Sequence, residues 1–394
     1  MKRFQRILAL MTAILMTLPL TAFASAEASA GPSGEVSGDP SLEAFLLFLS
    51  SEEPFDESAY TPILRTSPDN DMRTDLQYSY VMDEDLNNVY AYAHGVEPMS
   101  LPRGVVCDFS GDGIGEASTY IIQRAASEDF SDAVTVEGLT ETRYAFQNLL
   151  LGEHFWWRGG TSLETIKDSP VHEMTVTDIP PRVCYVEGGT NLRDVGGCAS
   201  SLVDGGRIRQ GLFYRGADIN FITEEGKRQL RDELGVRVEI DMRDEEFCLG
   251  PYVDGVEYYA MTIPSMTEAQ RFEEFSSVYR DIFALIAGAD ENPVFLHCGS
   301  GADRTGIVTF ILLAVCGASY EDIARDYLFT NFAKERIRYL STEFDNWWAK
   351  LDYFAGDTKA DQAKNWLMLK GVPEEQIEHI REIFVEGYSA PETP

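Results

Sequence analysis

The sequence HCGSGADRTG, residues 297–306, contains residue types that together suit phosphoryl transfer. The apolar runs NPVFLHC and GIVTFILLAVCG flank it, so the motif is predicted to connect a strand to a helix. Backbone N–H groups and the dipole at the start of a helix form an anion site at such a connection. The same groups lower the pKa of a nearby thiol, so we expect Cys298 to be a thiolate at neutral pH. An activated thiolate inside a phosphate site indicates attack on phosphorus and a phosphocysteine intermediate.

The other residues of the motif have predicted roles around this nucleophile. Arg304 carries a planar pair of donors that matches phosphate oxygens. Thr305 is placed to hydrogen-bond the sulfur, and His297 is placed to orient the loop. The glycines permit the tight curvature that a phosphate loop needs. The residues predicted to bind substrate are Gly299, Ser300, Gly301, Ala302, Thr305 and Gly306.

Composition disfavours several classes of partner. The 394 residues include 32 basic and 65 acidic ones, which gives a net charge of −33. This charge disfavours nucleic acid and an anionic membrane surface as general partners. The six cysteines are irregularly spaced, with no CxxC or Cys/His metal spacing, so we predict no disulfide framework, metal or cofactor. The run that begins at Asp108 looks like a calcium loop, but its twelfth position is Thr119 and not the required glutamate.

The N-terminal residues have the pattern of a secretory signal peptide. The basic start MKRFQR leads into an apolar run that is too short for a comfortable membrane span. The small residues of AFA, at 22–24, then offer a cleavage site. We predict a signal peptide over residues 1–24, a flexible leader over 25–40, no later membrane span, and a secreted or cell-envelope-associated protein.

The rest of the chain divides into three predicted parts. Residues 41–95 contain one short helical run, SLEAFLLFLSS, within acidic sequence. Residues 96–178 contain short apolar runs separated by turns, which predicts a small all-β sandwich. The series from STYIIQRA to HFWWRG resembles a fibronectin type III module. This sandwich is a candidate for contact with a cell-surface or host protein.

Residues 179–394 alternate strand-like and helical runs. RVEIDM, VEYYAMTI and NPVFLHC are strand-like, and GIVTFILLAVCG and YEDIARDYLF are helical. This alternation predicts an α/β domain with a central, mostly parallel sheet flanked by helices. The end of such a strand, where HCGSGADRTG falls, is where open α/β sheets bind ligands.

This part of the chain resembles the cysteine-based tyrosine phosphatases, in particular a bacterial secreted branch with the signature HCxxGKDRTG. Besides that loop, NLRDVGG at 191–197, the segment 204–247 and the tail GVPEEQIEHIREIF match the family in the same order. The resemblance implies a protein or phosphoinositide phosphatase that needs no cofactor. It also implies supporting roles near the site for Arg193, Asp194, Arg215, Asp241 and Arg243.

The resemblance also implies the general acid. In that branch the aspartate lies immediately before the loop arginine, which is Asp303 here. Glu268 is the alternative, on the segment that carries the acid in many other tyrosine phosphatases. The lysine of the family's loop is Ala302 in this chain, which weakens the expectation of a polyphosphorylated substrate.

The leading hypothesis from the sequence is an exported phosphatase that acts on protein phosphotyrosine. A phosphoinositide or inositol-phosphate phosphatase is the alternative, because Arg207 and Arg209 join Arg193 and Arg215 in a locally basic region. A phosphate-reading binding module is the alternative from a different class. Export also raises the hypothesis that Cys298 is switched off by oxidation or by pairing with another cysteine, Cys248 or Cys198.

Overall fold

The structure is a computed structural model that describes residues 61–93, 101–264, 272–333 and 338–391. All of these residues belong to one compact unit. The predicted signal peptide, the leader and the whole of the predicted helical run SLEAFLLFLSS lie outside the described residues. Within the described part of the chain, no helix is both long and apolar enough to cross a bilayer.

Two short helices come first. Helix α1 spans Asp75–Val81 and α2 spans Val89–Ala93. A capping box starts α1, because the Thr74 side chain accepts from the backbone N–H of Gln77 and the Gln77 side chain accepts from that of Thr74. These helices pack on the later part of the chain, since the Arg325 guanidinium donates to the carbonyls of Tyr80 and Asp83.

Six antiparallel strands follow in two sheets. Strands β2, β3, β5 and β6 form a four-stranded sheet in the order β3-β2-β5-β6, and β1 pairs with β4. The sheets contact each other through Phe146 and Phe155, whose ring centroids are 6.2 Å apart. The strands agree with the apolar runs of the sequence, and the fibronectin type III likeness stays a prediction. Their bounds are β1 Val105–Asp108, β2 Tyr120–Ala125, β3 Val134–Leu139, β4 Arg143–Phe146, β5 His154–Gly160 and β6 His172–Thr175.

The predicted α/β architecture forms the remainder of the described chain. A six-stranded sheet has the order β11-β10-β12-β9-β8-β7, in which β11, β10, β12 and β9 are parallel. At one edge of the sheet, β8 runs antiparallel to β9 and β7 runs antiparallel to β8. The strands are β7 Arg182–Val183, β8 Arg193–Asp194, β9 Phe213–Gly216, β10 Val238–Asp241, β11 Glu257–Ala260 and β12 Val294–His297. The helices are α3 Glu224–Arg228, α4 Ser276–Ile286, α5 Asp303–Val315, α6 Tyr320–Phe329, α7 Asp345–Lys350, α8 Lys359–Leu369 and α9 Glu374–Phe384.

Helix α5 lies in the centre of the core, and this position explains why its sequence is apolar on all sides. Every residue from Thr305 to Val315 is buried. The antiparallel sheets share this core with the α/β part, and Arg182 joins them by donating to the carbonyls of Leu149 and Asn148. The predicted domain boundaries at residues 95 and 178 stay predictions. The hydrogen bonds of Arg325 span the first boundary, and those of Arg182 span the second.

Candidate active site

The motif HCGSGADRTG connects β12 to α5, as the sequence predicted. Strand β12 ends at His297 and α5 begins at Asp303, so residues 298–302 form the loop, which we call the phosphate loop. Gly301 has a φ of +66°, and a Cβ at this position would lie 2.2 Å from the carbonyl oxygen of Gly216. Only glycine fits this close approach without displacing β9.

The nucleophile candidate, Cys298, is buried at the base of this loop. Burial alone raises the pKa of the Cys298 thiol. The Thr305 hydroxyl and backbone N–H, the charge of Arg304 and the backbone N–H of Ser300 outweigh burial, so the net pKa is lowered. The Thr305 hydroxyl makes no hydrogen bond of good geometry within the described residues, so it acts on the sulfur as a nearby dipole. This environment favours the thiolate.

Arg304 turns toward the ends of neighbouring segments. Its Nη1 donates to the carbonyl of Met242 at 3.1 Å and to that of Ile263 at 2.9 Å, and it lies 3.3 Å from Asp244 Oδ2. All of these contacts use one nitrogen of the guanidinium. Such an arrangement anchors the side chain at the edge of the loop while leaving the planar fork to meet a phosphate.

Asp303, the predicted general acid, forms an ion pair that the sequence did not suggest. Arg338 Nε donates to Asp303 Oδ1 at 2.8 Å, and Arg338 Nη2 donates to Asp303 Oδ2 at 2.9 Å. Burial opposes the charge on Arg338, but the contact with Asp303 raises the pKa of Arg338 above its ordinary value. The pair therefore holds the Asp303 carboxylate at the first residue of α5, directly after the phosphate loop. Glu268, the alternative acid, lies outside the described residues.

A buried ion cluster lies beneath the loop, and we call Arg193, Arg215 and Asp326 the lower brace. Arg193 Nε donates to Asp326 Oδ1 at 2.7 Å, and Arg215 pairs with the other carboxylate oxygen. Arg215 Nη2 also donates to the carbonyl of Gly301 at 2.7 Å. Asn191, held by Arg193, donates to the carbonyl of Ser300 at 3.0 Å. The brace therefore fixes the backbone of the phosphate loop from below.

The strand beside β12 supplies a second buried cluster. His297 Nε2 lies 3.0 Å from Glu239 Oε1, and both side chains are fully buried. Asp241 forms a bidentate pair with Arg243, with Arg243 Nη2 2.7 Å from Asp241 Oδ2. Burial raises the pKa of Asp241, but Arg243 and His297 outweigh burial and lower it. Asp241 Oδ1 also lies 3.9 Å from His297 Nδ1, so this cluster links the end of β10 to the residue before the loop.

Other predicted residues do not contact the loop. Asp194 pairs with Arg182 at 2.7 Å and accepts from the backbone N–H groups of Gly196 and Gly211. Arg207 Nη2 donates to Asp178 Oδ1 at 2.7 Å. The predicted basic region is therefore divided among separate partners in the fold. Arg209, the remaining arginine of the predicted basic region, donates to the carbonyls of Glu382 and Ile383 at the end of α9.

Two residues of the site, Asp326 and Arg338, have no signal in the sequence, and Asp326 lies 133 residues from Arg193 along the chain. Asn191 lies in the matched segment NLRDVGG, but its contact with the loop was not predicted. All six cysteines are free thiols, so neither Cys248 nor Cys198 pairs with Cys298 in this structure. Among the described residues, no cluster of His, Cys, Asp and Glu is suited to a metal ion.

Comparison with known proteins agrees with this site. The sequence profile of the Tyrosine phosphatase family matches residues 184–390, which is more than half of the chain, so the chain belongs to that family. The match covers the whole phosphate loop and the lower brace. It begins after the antiparallel sheets, and it therefore leaves their role open to proposal.

The individual relatives align with less than half of this chain. The Tyrosine-protein phosphatase of Nostoc commune is 28% identical over 29% of this chain and 47% of its own length. The Triple specificity protein phosphatase PtpB of Mycobacterium tuberculosis is 22% identical over 42% of this chain and 72% of its own. A Cupriavidus necator relative that carries the tyrosine-protein phosphatase name is 29% identical over 36% of this chain, and the match spans 60% of that relative.

Among solved structures, the core catalytic domain of the PP-IP phosphatase SIW14 of S. cerevisiae is similar, with a TM-score of 0.28 and 18% identity. The match covers 41% of this chain and 87% of that one.

Proposed function

We propose that the chain is a phosphoric monoester hydrolase that acts through a phosphocysteine intermediate. The observation that carries this proposal is the position of Cys298, buried at the base of the phosphate loop and beside the start of α5, where Thr305, Arg304 and the Ser300 N–H lower its pKa. A thiolate at the start of a helix, next to a guanidinium, is arranged to attack a bound phosphate. Membership of the Tyrosine phosphatase family supports the same reaction class.

The proposed reaction has two displacements at phosphorus. In the first, the Cys298 sulfur bonds to phosphorus, the bond from phosphorus to the ester oxygen breaks, and a proton from Asp303 goes to that oxygen. In the second, water bonds to phosphorus, the S–P bond breaks, and Asp303 takes the proton from the water. Arg304 and the loop N–H groups stabilise the equatorial oxygens in both steps. Protonation of Asp303 before the first step weakens its ion pair with Arg338.

The substrate we favour is protein phosphotyrosine. The phosphoinositide alternative requires basic side chains available to further phosphates. Arg193 and Arg215 are instead buried in the lower brace, Arg207 is paired with Asp178, and the loop position before Asp303 is Ala302. With these basic side chains engaged elsewhere, the loop and Arg304 are left to bind a single phosphate, which fits a phosphotyrosine side chain better than a polyphosphorylated ring.

The decisive experiment measures turnover with EDTA and reductant present. Purified protein is assayed on para-nitrophenyl phosphate, a phosphotyrosine peptide, a phosphoserine peptide and phosphoinositides. We expect Cys298→Ser to reduce turnover by about 10⁴-fold or more, since the nucleophile is lost. Cys316→Ala is the matched control, because Cys316 is a buried thiol at the far end of α5. Full activity in Cys298→Ser would rule out the phosphocysteine mechanism, whereas phosphate binding without turnover in wild type would favour the phosphate-reading module.

A second experiment tests the intermediate itself. Wild-type protein is mixed with a phosphorus-32-labelled phosphotyrosine peptide and quenched in acid within milliseconds. We expect label on the peptide fragment that contains Cys298 in wild type, and no label on that fragment in Cys298→Ser, which lacks the sulfur. A steady-state rate that persists with no label on Cys298 would contradict the covalent step.

We further propose that the protein is exported and that the antiparallel sheets contact a protein of the cell surface or a host. The signal-like residues 1–24 support the first part, and the position of the sheets outside the family match supports the second. Expression of the full chain in a bacterial host tests export. Mature protein in the envelope or medium that begins near residue 25 is the expected result, and full-length protein confined to the cytoplasm would overturn it.

A further inference from the structure

Three large apolar side chains are exposed around the candidate active site. Phe221 is 83% exposed, Leu249 is 76% exposed and Phe247 is 53% exposed. Phe221 follows strand β9, and the other two follow β10. Strands β9, β12 and β10 are parallel, so the segments after them and the phosphate loop after β12 lie at the same edge of the sheet.

Hydrogen bonds tie both segments to the site. After β9, the backbone N–H of Asp218 lies 3.5 Å from the carbonyl oxygen of Gly299 in the phosphate loop. After β10, Asp244 Oδ2 lies 3.3 Å from Arg304. Arg243 joins the two segments, since Nη1 donates to Asn220 Oδ1 at 3.0 Å and Nη2 donates to the Tyr252 hydroxyl at 2.8 Å. The exposed apolar residues therefore flank the phosphate loop.

The same two segments are acidic. We call residues 217–222 and 244–250 the rim. The rim contains four carboxylates and neither lysine nor arginine. Glu245 and Glu246 are exposed, and Asp218 and Asp244 are half-buried. The rim thus combines apolar contact area with negative charge.

We infer that the rim binds the residues flanking the phosphate-bearing side chain of a protein substrate, and that it selects apolar side chains and lysine or arginine there. This inference rests on the proposed phosphatase function and specifies its substrate class. Apolar side chains of the peptide remove Phe221, Phe247 and Leu249 from water, and its basic side chains meet the rim carboxylates. An inositol polyphosphate would place its additional phosphates against those carboxylates.

Charge also separates this partner from the other ways to cover an apolar surface. In a symmetric dimer through the rim, the carboxylates of one copy would face those of the other. A bilayer with anionic lipids would meet the same carboxylates and a chain with a net charge of −33. A cationic and apolar peptide satisfies both the apolar and the charged part of this surface.

The test compares substrates that share one phosphotyrosine. One peptide carries leucine and lysine on both sides of it, a second replaces lysine by glutamate, and para-nitrophenyl phosphate has no flanking residues. We expect wild-type kcat/KM for the first peptide to exceed that for the second about tenfold, as rim charges and apolar contacts of this kind allow. A water-soluble inositol polyphosphate is expected to be the slowest substrate.

Variants of the rim identify the surface. Phe221→Ser combined with Leu249→Ser is expected to lower kcat/KM for both peptides about fivefold to tenfold, by loss of apolar contacts, and to leave para-nitrophenyl phosphate within about twofold. Glu245→Gln combined with Glu246→Gln is expected to remove most of the preference for lysine. Tyr353→Ser is the matched control, since Tyr353 is 87% exposed and lies outside the rim.

The outcomes separate this inference from the proposed function. If the two peptides have equal kcat/KM, or if the inositol polyphosphate is the fastest substrate, the inference is wrong. Hydrolysis of para-nitrophenyl phosphate in the same experiment would still support the proposed function. The inference would also be wrong if wild type dimerises in sedimentation experiments, or binds vesicles with anionic lipids, and the Phe221→Ser and Leu249→Ser changes abolish that association. No hydrolysis of any phosphomonoester by wild type would instead contradict the proposed function.

Discussion

Two ion-pair clusters contact the phosphate loop, and they differ in burial. The lower brace is almost fully removed from water, with Arg193 and Arg215 each 1% exposed and Asp326 6% exposed. The outer pair, Asp303 with Arg338, is 24% and 11% exposed. A buried carboxylate between two guanidinium groups cannot change partners without leaving charge unpaired. A partly exposed pair can exchange with water or substrate, which suits a group that must gain and lose a proton.

The largest effect is expected from Asp326→Asn, which would leave two buried arginines without their carboxylate. We expect a loss of about 3–5 kcal/mol in the free energy of unfolding, measured by urea denaturation. Burial raises the pKa of Asp326, but Arg193 and Arg215 outweigh it and lower the net pKa. Its contribution to stability is therefore complete above the ordinary carboxyl pKa and is lost as pH falls through the lowered value.

Asp322→Asn is the control for this change, one turn earlier on α6. Burial raises the pKa of Asp322, so loss of its charge is expected to change stability little. If Asp326→Asn unfolds at the same urea concentration as wild type, the lower brace does not stabilise the loop as argued here.

Arg338→Gln should separate the outer pair from the lower brace. It removes the two donors that hold Asp303, while Arg338 lies outside the lower brace. We expect kcat on para-nitrophenyl phosphate to fall about tenfold, a fraction of what a general acid supplies. Unfolding is expected to shift much less than for Asp326→Asn, because the pair is partly exposed.

The pH profile of kcat/KM shows whether this effect acts through Asp303. Arg338→Gln is expected to change the profile of wild type and to have no further effect when Asp303→Asn is already present. The exposed Arg228→Gln serves as control. Additive losses in the double variant would show that Arg338 does not act through Asp303.

A smaller effect is expected from Thr305→Val, which removes a hydroxyl and keeps the shape of the side chain. The pKa of Cys298 is lowered, so the thiolate is present above that lowered value and is lost as pH falls through it. Without the hydroxyl, the midpoint of Cys298 alkylation by iodoacetamide is expected to move up by about 0.5–1 pH unit. Thr309→Val should leave the midpoint unchanged, because it removes a buried hydroxyl one turn later that also has no hydrogen-bond partner among the described residues.

The smallest effect is expected from Arg207→Gln. Arg207 and Asp178 are 34% and 46% exposed, and water screens their attraction. We expect unfolding to change by less than about 1 kcal/mol and activity on every substrate to remain at the wild-type level. A selective loss of phosphoinositide turnover in this variant would restore the basic region as a substrate site.

Much of the fold follows from local sequence patterns. The run NPVFLHC became β12, GIVTFILLAVCG became most of α5, and the break at 371–373 separates α8 from α9. The short strands before residue 178 also occur where alternating apolar runs predicted them. Strands β7 and β8 have only two residues each, so they carry no periodic signal, and the antiparallel edge of the main sheet was not predicted.

The sequence by itself determined the position of the site, because the phosphate loop is one contiguous segment whose geometry depends on its own glycines and on the strand and helix around it. Only the tertiary structure decided how that loop is held. Asp326, on α6, and Arg338 follow the loop, whereas Arg193 and Arg215 precede it by more than 80 residues. Local patterns report burial and periodicity, whereas the choice of ionic partner depends on which distant elements the folded core brings together.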